Sequence, residues 1–335
     1  MGEERMKILV TGGAGYIGSV AVCELIQAGY DVVVADNLST GFRQAVHPDA
    51  GFYQLDIRDR EALDRLFEEE QIIGVVHFSA CSQVVESMGD PLRYFDNNLG
   101  GTITLLESMV AHGVKHLVLS SSAAVYGIPE TIPIREETRT HPINPYGETK
   151  LAMERLLEWT GRAHGTTYAA LRYFNACGAD LPGDLGEAHD PETHLIPLIL
   201  QVPNGQRDRI LVFGDDYPTR DGTCVRDYVH VTDLARAHVL ALDYLLRGGE
   251  SQVFNLGSGR GYTVREVIEA ARRVTGHPIP VEIAPRREGD PPALVASAEK
   301  ARRVLGWKPD YDTIEEMIST AWSWHRRHPN GYREA

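Results

Sequence analysis

The chain has 335 residues, a length sufficient for one large domain or two smaller ones with substantial hydrophobic cores. Charged residues make up 24% of it, and the formal net charge of −14 disfavours nucleic-acid binding, which usually requires a basic face. Every apolar run is too short to span a membrane, so we expect no membrane partner. The four cysteines are too sparse for a disulfide framework, which favours reduced thiols in a cytoplasmic protein.

Short, almost continuously apolar runs alternate with helical patterns in the first half of the chain. The predicted strands cover residues 7–10, 31–35, 74–78, 115–120 and 167–172. The predicted helices cover residues 17–28, 61–70, 101–112 and 146–163. Strands that are apolar on both faces are typical of parallel sheets covered by crossover helices. The pattern therefore predicts an α/β fold with a doubly wound parallel (Rossmann) sheet.

The regular alternation ends beyond Asn175. Residues 178–192 are rich in glycine, proline and acids and indicate a loop, and helical patterns resume at 231–246, 263–275 and 314–325. Prolines between residues 278 and 292 interrupt the remaining segment. We therefore expect a second, smaller α/β domain with long binding loops.

A glycine-rich loop follows the first predicted strand. Gly13-x-Gly15-x-x-Gly18 fits a dinucleotide fingerprint, and Gly12 adds a second glycine spacing. Such glycines allow a tight turn and a close approach of the backbone to a pyrophosphate at a helix N-terminus. Asp36 follows at the end of the second strand, where a carboxylate accepts hydrogen bonds from a ribose and repels a 2′-phosphate. The loop therefore predicts NAD as the cofactor rather than NADP.

Tyr146 and Lys150 are four residues apart and share one face of a predicted helix. A nearby ammonium group and a positive nicotinamide ring would favour the phenolate form of the tyrosine, which could then exchange a proton with a hydroxyl group. Ser122 follows a strand end, where its hydroxyl could bind the same substrate oxygen. A tyrosine and a lysine at this spacing are common by themselves, and it is the serine and the glycine loop that favour a catalytic set.

These residues, with segments found along nearly the whole chain, resemble the extended short-chain dehydrogenase/reductase family, and within it the epimerases of UDP-hexoses. The segments that carry the resemblance are VTGGAGYIGS, DNLSTG, SSSAAVYG, NPYGETK, LRYFNACGA, HLIP, TRDGTCVRDYVHV and RREGDPPA. The last two are far more specific than the glycine fingerprint. The resemblance implies reversible inversion at C4 of UDP-galactose and UDP-glucose, through a transient 4-keto sugar and enzyme-bound NADH.

The resemblance also assigns roles to individual residues. The catalytic residues would be Ser122, Tyr146 and Lys150. The residues at NAD would be Gly12, Gly15, Tyr16, Ile17, Gly18, Asp36, Asn37, Asp56, Ile57, Phe78, Ala80, Asn97, Tyr146, Lys150 and Phe174. The residues at the UDP-sugar would be Ser122, Tyr146, Asn175, His194, Leu195, Arg226, Tyr228, Arg287, Asp290 and Leu294. Surface ion pairing with neighbouring acids is the alternative for the two arginines.

The resemblance further implies how the chain is organised. An NAD-binding Rossmann domain would cover residues 6–176, with a returning segment near 226–260. A UDP-sugar-binding domain would cover residues 177–225 and 261–330, and the chain would form a homodimer. Leu294 stands where the size of the sugar pocket is set, so the breadth of accepted sugars stays open.

Three other functions fit parts of this pattern. One is an NAD-dependent epimerase of another nucleotide sugar, with an N-acetylhexosamine, a uronic acid or a pentose. Another is a nucleotide-sugar 4,6-dehydratase, although Ala123 and Ala124 after Ser122 supply no acid or base for it. The third is a regulatory protein that senses NAD without catalysis, which would not need the three catalytic residues together.

A group of acids and histidines lies in the loop before Pro197: Glu187, His189, Asp190, Glu192 and His194. The spacing matches no usual zinc motif, so we expect a substrate-covering loop with solvated acids and no metal. His77, at the end of an apolar strand, is expected to be a core residue with satisfied hydrogen bonds rather than a catalyst.

Overall fold

The computed structural model describes residues 6–181, 183–287 and 290–333. The strands are β1 Lys7–Thr11, β2 Asp31–Asp36, β3 Gly51–Gln54, β4 Ile72–His77, β5 His116–Ser122, β6 Thr167–Tyr173, β7 Asn175–Cys177, β8 Ile210–Phe213, β9 Val225–Arg226, β10 Tyr228–His230, β11 Gln252–Leu256, β12 Tyr262–Thr263, β13 Val281–Ala284 and β14 Ala293–Leu294. The α-helices are α1 Tyr16–Gln27, α2 Arg60–Glu69, α3 Val84–Gly89, α4 Pro91–Tyr94, α5 Gly101–Ala111, α6 Pro145–His164, α7 Leu195–Leu200, α8 Val231–Leu246, α9 Val264–Thr275, α10 Glu299–Leu305 and α11 Ile314–Arg327.

Seven strands form one parallel sheet in the order β11-β6-β5-β4-β1-β2-β3. The strand order reverses between β1 and β4, and this is the position where doubly wound sheets bind ligands at their carboxyl edge. The doubly wound parallel sheet predicted from the sequence is confirmed.

Helices cover both faces of this sheet. On one face, α1 and α8 bury side chains such as Val22, Leu25 and Leu242 against the apolar strands. On the other face, α2, α5 and α6 bury residues that include Leu66 and Met153. Because the strands are enclosed on both sides, their sequences are apolar throughout, and the carboxyl edge remains as the place for polar side chains.

The smaller lobe is built from three short sheets and the helices around them. Strands β12, β9 and β14 form one sheet, β8 pairs with β13, and β10 pairs with β7. Helices α7, α9 and α11 share a separate core with residues such as Ile199, Ile268 and Ile318. Strand β11 lies at the edge of the large sheet, so the chain returns there after entering the smaller lobe.

Asp227 is a buried carboxylate between β9 and β10. It joins a segment of the large sheet to a segment of the smaller lobe. It accepts hydrogen bonds from the backbone amides of Ser258 at 2.8 Å, Gly259 at 3.0 Å and Ala296 at 3.0 Å. Residues 258 and 259 follow a strand of the large sheet, and residue 296 follows β14 of the smaller lobe. One side chain therefore ties the two parts of the fold together.

The predicted elements of the first half agree with the structure to within a few residues, and the helix predicted at 231–246 has those bounds. Strand β3 and the short helices α3 and α4, which lead into a π-helical turn at Phe95–Gly100, did not stand out in the sequence. Across the described residues, no helix combines the length and apolar character needed to cross a bilayer.

Candidate functional site: the carboxyl edge of the large sheet

The phosphate loop, residues 12–18, turns tightly between β1 and α1 at the position where the strand order reverses. Gly12 has φ of +76°, and a Cβ atom there would lie 2.7 Å from the backbone nitrogen of Ser79. A Cβ atom on Gly18 would lie 2.2 Å from the carbonyl oxygen of Gly12. Gly15 caps α1 without a side-chain hydrogen bond, so the first amides of the helix face the edge uncapped. This arrangement fits the pyrophosphate of a dinucleotide.

Asp36 closes β2 beside this loop and is buried. Its carboxylate accepts hydrogen bonds from the amides of Ala14 at 3.0 Å and Leu38 at 2.8 Å. Burial raises the pKa of Asp36 above its usual value, against the effect of these two amides. Each carboxylate oxygen retains a further lone pair for a ribose hydroxyl. The uncapped helix, the glycine turn and this acid together fit NAD.

The remaining predicted adenine-side residues form a polar cluster beyond β2 and β3. Asn37 donates a hydrogen bond to Asp56 at 3.1 Å, and Arg58 pairs with the same carboxylate at 2.7 Å. The guanidinium of Arg58 holds the pKa of Asp56 well below its usual range. Ile57 is buried and packs beneath Gly101, where a Cβ atom would collide with it.

Helix α6 places Tyr146 and Lys150 on one buried face. Asn144 caps the helix by accepting a hydrogen bond from Gly147 at 2.8 Å, and Pro145 occupies the first turn. The Nζ atom of Lys150 donates a hydrogen bond to the carbonyl oxygen of Ser120 at 2.7 Å and lies 5.9 Å from the ring centroid of Tyr146. Burial lowers the pKa of Lys150 to about 8.

Ser122 ends β5 and faces this pair. It accepts a hydrogen bond from the amide of Ala124 at 3.1 Å. Burial raises the pKa of Tyr146, while a hydrogen bond from Ser122 acts in the opposite direction. In the protein chain itself, burial therefore leaves the pKa of the phenol raised, where the sequence predicted that Lys150 would lower it. The serine, the phenol and the ammonium nevertheless converge at the carboxyl edge, on the side of the phosphate loop.

A buried ionic network lies beneath Ser122, Tyr146 and Lys150, and it was not predicted from the sequence. Glu154 pairs with Arg172 of β6 at 2.5 Å and also accepts a hydrogen bond from Ser121 at 2.5 Å. Arg172 donates in turn to the hydroxyl of Tyr126, which donates to Asn255 at 2.7 Å. Glu154 lies four residues after Lys150 on the same helical face, a spacing that could have drawn attention to it. The network holds α6 against β5 and β6.

Asn98 is a second residue that sequence reasoning missed. Its side chain accepts from the amide of Cys81 at 2.7 Å and donates to Thr149 at 3.0 Å, so it joins the segment after β4 to α6. The predicted cofactor residue Asn97 donates to the Asn98 oxygen at 3.0 Å. Ala80 lies in the same segment, half-buried. These bonds place Asn97 and Ala80 beside the catalytic helix.

Several predicted residues pack around the same edge through apolar contacts. Phe78 stacks obliquely on His238, with ring centroids 4.6 Å apart, and the phosphate-loop residue Ile17 packs in the same core. Phe174 and Leu294 both pack against the cluster that contains Ala123 and Val125, directly after Ser122. Leu294 is therefore close to the catalytic serine segment, as a residue that sets pocket size would need to be.

His77 is fully buried, and both of its ring nitrogens have hydroxyl partners. They lie 2.6 Å from Thr11 and 3.0 Å from Thr102. Burial lowers the pKa of His77 to about 3. The prediction of a satisfied core histidine agrees with this geometry.

The predicted diphosphate and uridine residues gather in the smaller lobe. Arg226 forms an ion pair with Asp290 and donates to the carbonyl oxygens of Val225 and Pro291. The guanidinium carbon of Arg287 lies 4.0 Å from the ring centroid of Phe213. Arg226 thus forms the ion pair with a neighbouring acid that was the alternative to diphosphate binding. Arg287 packs on an aromatic ring.

Two further substrate candidates lie where the lobes meet. Asn175 opens β7 and donates a side-chain hydrogen bond to the carbonyl oxygen of Asp227 at 2.9 Å. Tyr228 is buried in the neighbouring strand β10, and burial raises its pKa. Both residues pair in register across these two strands.

The loop before α7 differs from its expectation. The side chains of Glu187 and Glu192 are only 5% and 7% exposed, so these two acids are buried rather than solvated, whereas Asp190 is 64% exposed as expected. The physical reason is that His189 and His194 lie against them and offset their charge, with His194 Nδ1 2.5 Å from Glu187. Although burial opposes it, the two carboxylates raise the pKa of His189 to about 10.

This loop is fastened to the phosphate loop. Tyr16 donates a hydrogen bond to the carbonyl oxygen of Gly178 at 2.7 Å, and its ring meets that of His189 edge-on. The imidazole of His194 faces Glu187, and Leu195 begins α7 directly after it. The side chain of His194 therefore contacts the acids of this loop.

Comparisons with known proteins agree with this geometry. Residues 8–257 match the NAD dependent epimerase/dehydratase family. A UDP-glucose 4-epimerase from Lacticaseibacillus casei is 58% identical over 327 residues, covering 98% of this chain and 99% of the relative. The crystal structure of UDP-glucose 4-epimerase from Bifidobacterium longum, in complex with NAD+ and UDP, has a TM-score of 0.93 and 42% identity, covering 98% of this chain and 100% of that one.

A further crystal structure of a UDP-glucose 4-epimerase has a TM-score of 0.96 and 52% identity, covering 98% of this chain and 100% of that one. The matches extend over the sheet, the phosphate loop and the catalytic helix alike. The chain therefore belongs to the NAD dependent epimerase/dehydratase family.

Proposed function

We propose that this chain catalyses the reversible C4 epimerisation of UDP-galactose and UDP-glucose, with NAD as a bound cofactor. The observation that carries the proposal is the convergence of Ser122, Tyr146 and Lys150 on the carboxyl edge beside the phosphate loop. The sequence and structural similarity to UDP-glucose 4-epimerases supports the choice of these UDP-hexoses as substrates.

Each residue of the set has a distinct task in this reaction. Ser122 and Tyr146 hold the 4-hydroxyl of the sugar, and the Tyr146 oxygen accepts its proton. Lys150 places a positive charge beneath the phenol ring and stabilises the phenolate. A bound NAD, held by the phosphate loop and Asp36, would supply the hydride acceptor for C4 and the donor for its return. The buried position of Tyr146 keeps bulk water from the proton that it exchanges.

Inversion requires the 4-keto sugar to turn while the nucleotide stays in place. In our proposal Arg226 and Arg287 bind the diphosphate, and Asp290, Tyr228, Asn175, His194 and Leu195 complete the UDP-sugar site. Arginine suits this task because its forked donors match phosphate oxygens. On substrate binding, the diphosphate would compete with Asp290 for Arg226. Binding energy on the unreacting nucleotide then leaves the sugar free to turn.

The domain division proposed from the sequence stays our working proposal. Residues 6–176 and the returning segment near 226–260 would bind NAD, and residues 177–225 and 261–330 would bind the UDP-sugar. The placement of β11 in the large sheet, and of α9 and α11 in a separate core, supports this division.

We also propose a homodimer. Leu92, Phe95 and Ile103 are apolar residues with 80%, 39% and 41% of their surfaces exposed, spaced along the segment from α4 to α5. A paired helix from a second copy would bury such a row. A cytoplasmic location is proposed because the four cysteines are free thiols.

The test uses Tyr146→Phe and a matched control, Tyr168→Phe, which removes a hydroxyl at the amino end of β6. The protein is incubated with UDP-galactose without added NAD, and the product is identified and its rate measured. Tyr146→Phe is expected to retain its fold and NAD but to lose about three orders of magnitude in turnover, because the proton acceptor is gone. Near-native turnover in Tyr146→Phe would refute the proposal.

The same assay separates the alternatives. A 4,6-dehydratase would release a 6-deoxy-4-keto sugar, and a regulatory protein would bind NAD without turnover. Absence of an acid or base at Ala123 and Ala124 argues against the dehydratase.

A further inference from the structure

Four side chains of the loop before α7 form a compact ligand set. One nitrogen or oxygen atom from each lies within 4.8 Å of the others, and they belong to Glu187, His189, Glu192 and His194. The set contains none of the three catalytic residues. His194 also belongs to the proposed UDP-sugar site, but the reaction gives the two carboxylates no task.

Several separations within the set are close to those of a tetrahedral metal site, although the four atoms are up to 4.8 Å apart and would move closer around an ion. His189 Nδ1 lies 3.2 Å from Glu187 Oε1 and 3.6 Å from Glu192 Oε2, and His194 Nδ1 lies 3.6 Å from Glu192 Oε1. Bonds of about 2.0 Å around a tetrahedral zinc ion place neighbouring ligand atoms about 3.3 Å apart. The contact of His194 with Glu187, at 2.5 Å, would lengthen by about 0.8 Å to reach that spacing.

The orientation of His189 supplies a second, independent observation. Its Nδ1 atom is buried and has no hydrogen-bond partner, although the two carboxylates are near. An ion between the carboxylates would accept the lone pair of this atom, and it would replace the hydrogen bond that His194 Nδ1 forms with Glu187. An ordinary hydrogen-bonded ion pair would instead align the ring N–H with an oxygen.

The chemistry of the donors selects the ion. Two imidazole nitrogens disfavour calcium and magnesium, which prefer oxygen ligands. A mixed set of two imidazoles and two carboxylates in a tetrahedral arrangement suits zinc. Two carboxylates, whose side chains are 5% and 7% exposed, would also neutralise the double charge of the ion.

We propose, in place of the metal-free loop expected from the sequence, that the chain binds one zinc ion through Glu187, His189, Glu192 and His194. The ion is structural, since four protein ligands complete its coordination and leave no open position for substrate. It fastens the loop after β7 to the start of α7. Tyr16 contacts this loop at Gly178, so the ion also steadies the loop against the phosphate loop.

The test measures metal content and thermal stability of the full-length protein. Purified protein is stripped with a chelator, supplied with zinc chloride, dialysed and analysed by mass spectrometry. Native protein is expected to retain one zinc per chain and to gain several degrees in Tm relative to the stripped form, because the ion binds only the folded state. Tetrahedral cobalt, used as a probe in place of zinc, should give visible absorption.

The variants are His189→Ala and the conservative Glu192→Gln, with His164→Ala as a matched control at an exposed histidine. Both cluster variants should bind zinc at least tenfold more weakly and lose the Tm gain, while the control behaves as the native protein. Native protein that retains no zinc and shows no Tm response would overturn the proposal and leave the cluster as ion pairs alone. Native-like zinc retention in both cluster variants would overturn it equally.

Discussion

The phosphate loop and the loop of residues 178–194 lie against each other, but they are held by different means. The phosphate loop takes its shape from the backbone, and an added Cβ would collide with backbone atoms at Gly12 and Gly18. The second loop takes its shape from buried ionisable side chains that meet across several residues. A backbone-built site can be read from residue spacing, whereas a site built from side-chain contacts depends on how the chain folds back on itself.

The largest effect is expected from breaking the backbone-built loop with Gly18→Ala. The added Cβ would lie 2.2 Å from the Gly12 carbonyl, so α1 must shift. A shift that costs about 3 kcal/mol would weaken NAD binding roughly 100-fold. Bound NAD is measured after purification and by calorimetry. The control is Gly89→Ala, where the Cβ meets no atom within 4 Å; equal NAD content in the two variants would contradict the role of Gly18.

A change of pH should affect the catalytic helix, which carries the buried titratable Lys150, and should leave the backbone-built phosphate loop unchanged. Burial lowers the pKa of Lys150 from 10.5 to about 8, so between these values the unfolded chain binds more protons than the folded one. Stability attributable to this residue therefore rises with pH across that window, by up to about 3 kcal/mol.

The measurement is the free energy of unfolding by urea, from pH 7 to 10.5, for the native protein and Lys150→Met. The stability of the native protein relative to the variant should increase with pH. The shape of the phosphate loop should not change across this range, because it depends on the backbone geometry of its glycines. A difference between the two proteins that does not depend on pH would show that Lys150 has an unshifted pKa.

Glu187→Gln tests the side-chain-built loop. The amide of glutamine is neutral and cannot offset the charge of two histidines, so the loop should loosen. The KM for UDP-galactose should then rise about tenfold, which corresponds to a loss of about 1.4 kcal/mol of binding free energy. NAD content should be unchanged, since the phosphate loop keeps its backbone shape. Steady-state kinetics check this, with Glu250→Gln as an exposed control. A loss of NAD instead would mean that the two loops are one unit.

The smallest effect is expected at Leu294, which lies outside both loops. Leu294 packs beside the Ser122 segment and offers no polar partner for an N-acetyl group, so burying that amide is unfavourable. Leu294→Ser should raise the ratio of kcat/KM for UDP-N-acetylgalactosamine over UDP-galactose a few-fold, and Leu294→Tyr should lower it. The same ratio in all three proteins would remove Leu294 as the residue that sets pocket size.

The sequence predicted the parts of the molecule that depend on local patterns. The doubly wound sheet, the family and NAD are confirmed, because apolar strands and glycine spacing are visible within a few residues. Strands β9, β12 and β14 have only two residues each and show no periodicity.

The parts that were missed depend on contacts between distant residues. Glu154 and Arg172 are 18 residues apart, and Tyr126 and Asn255 are 129 apart, so nothing in their local sequence marks them as partners. The error at Glu187 and Glu192 has a different cause, because their histidine partners lie only two to seven residues away. Acids in a glycine- and proline-rich loop are usually solvated, and only the folded chain shows that these histidines turn inward and pair with them.

The carboxylate of Asp227 has a consequence for the hydrogen exchange of the amides that it accepts from. The amides of Ser258, Gly259 and Ala296 all donate to it, so none can exchange its hydrogen with solvent while the carboxylate stays in place. The three amides should therefore be protected from deuterium exchange to a similar degree, although they lie on separate segments. That shared protection would report the free energy needed to separate the two lobes at Asp227.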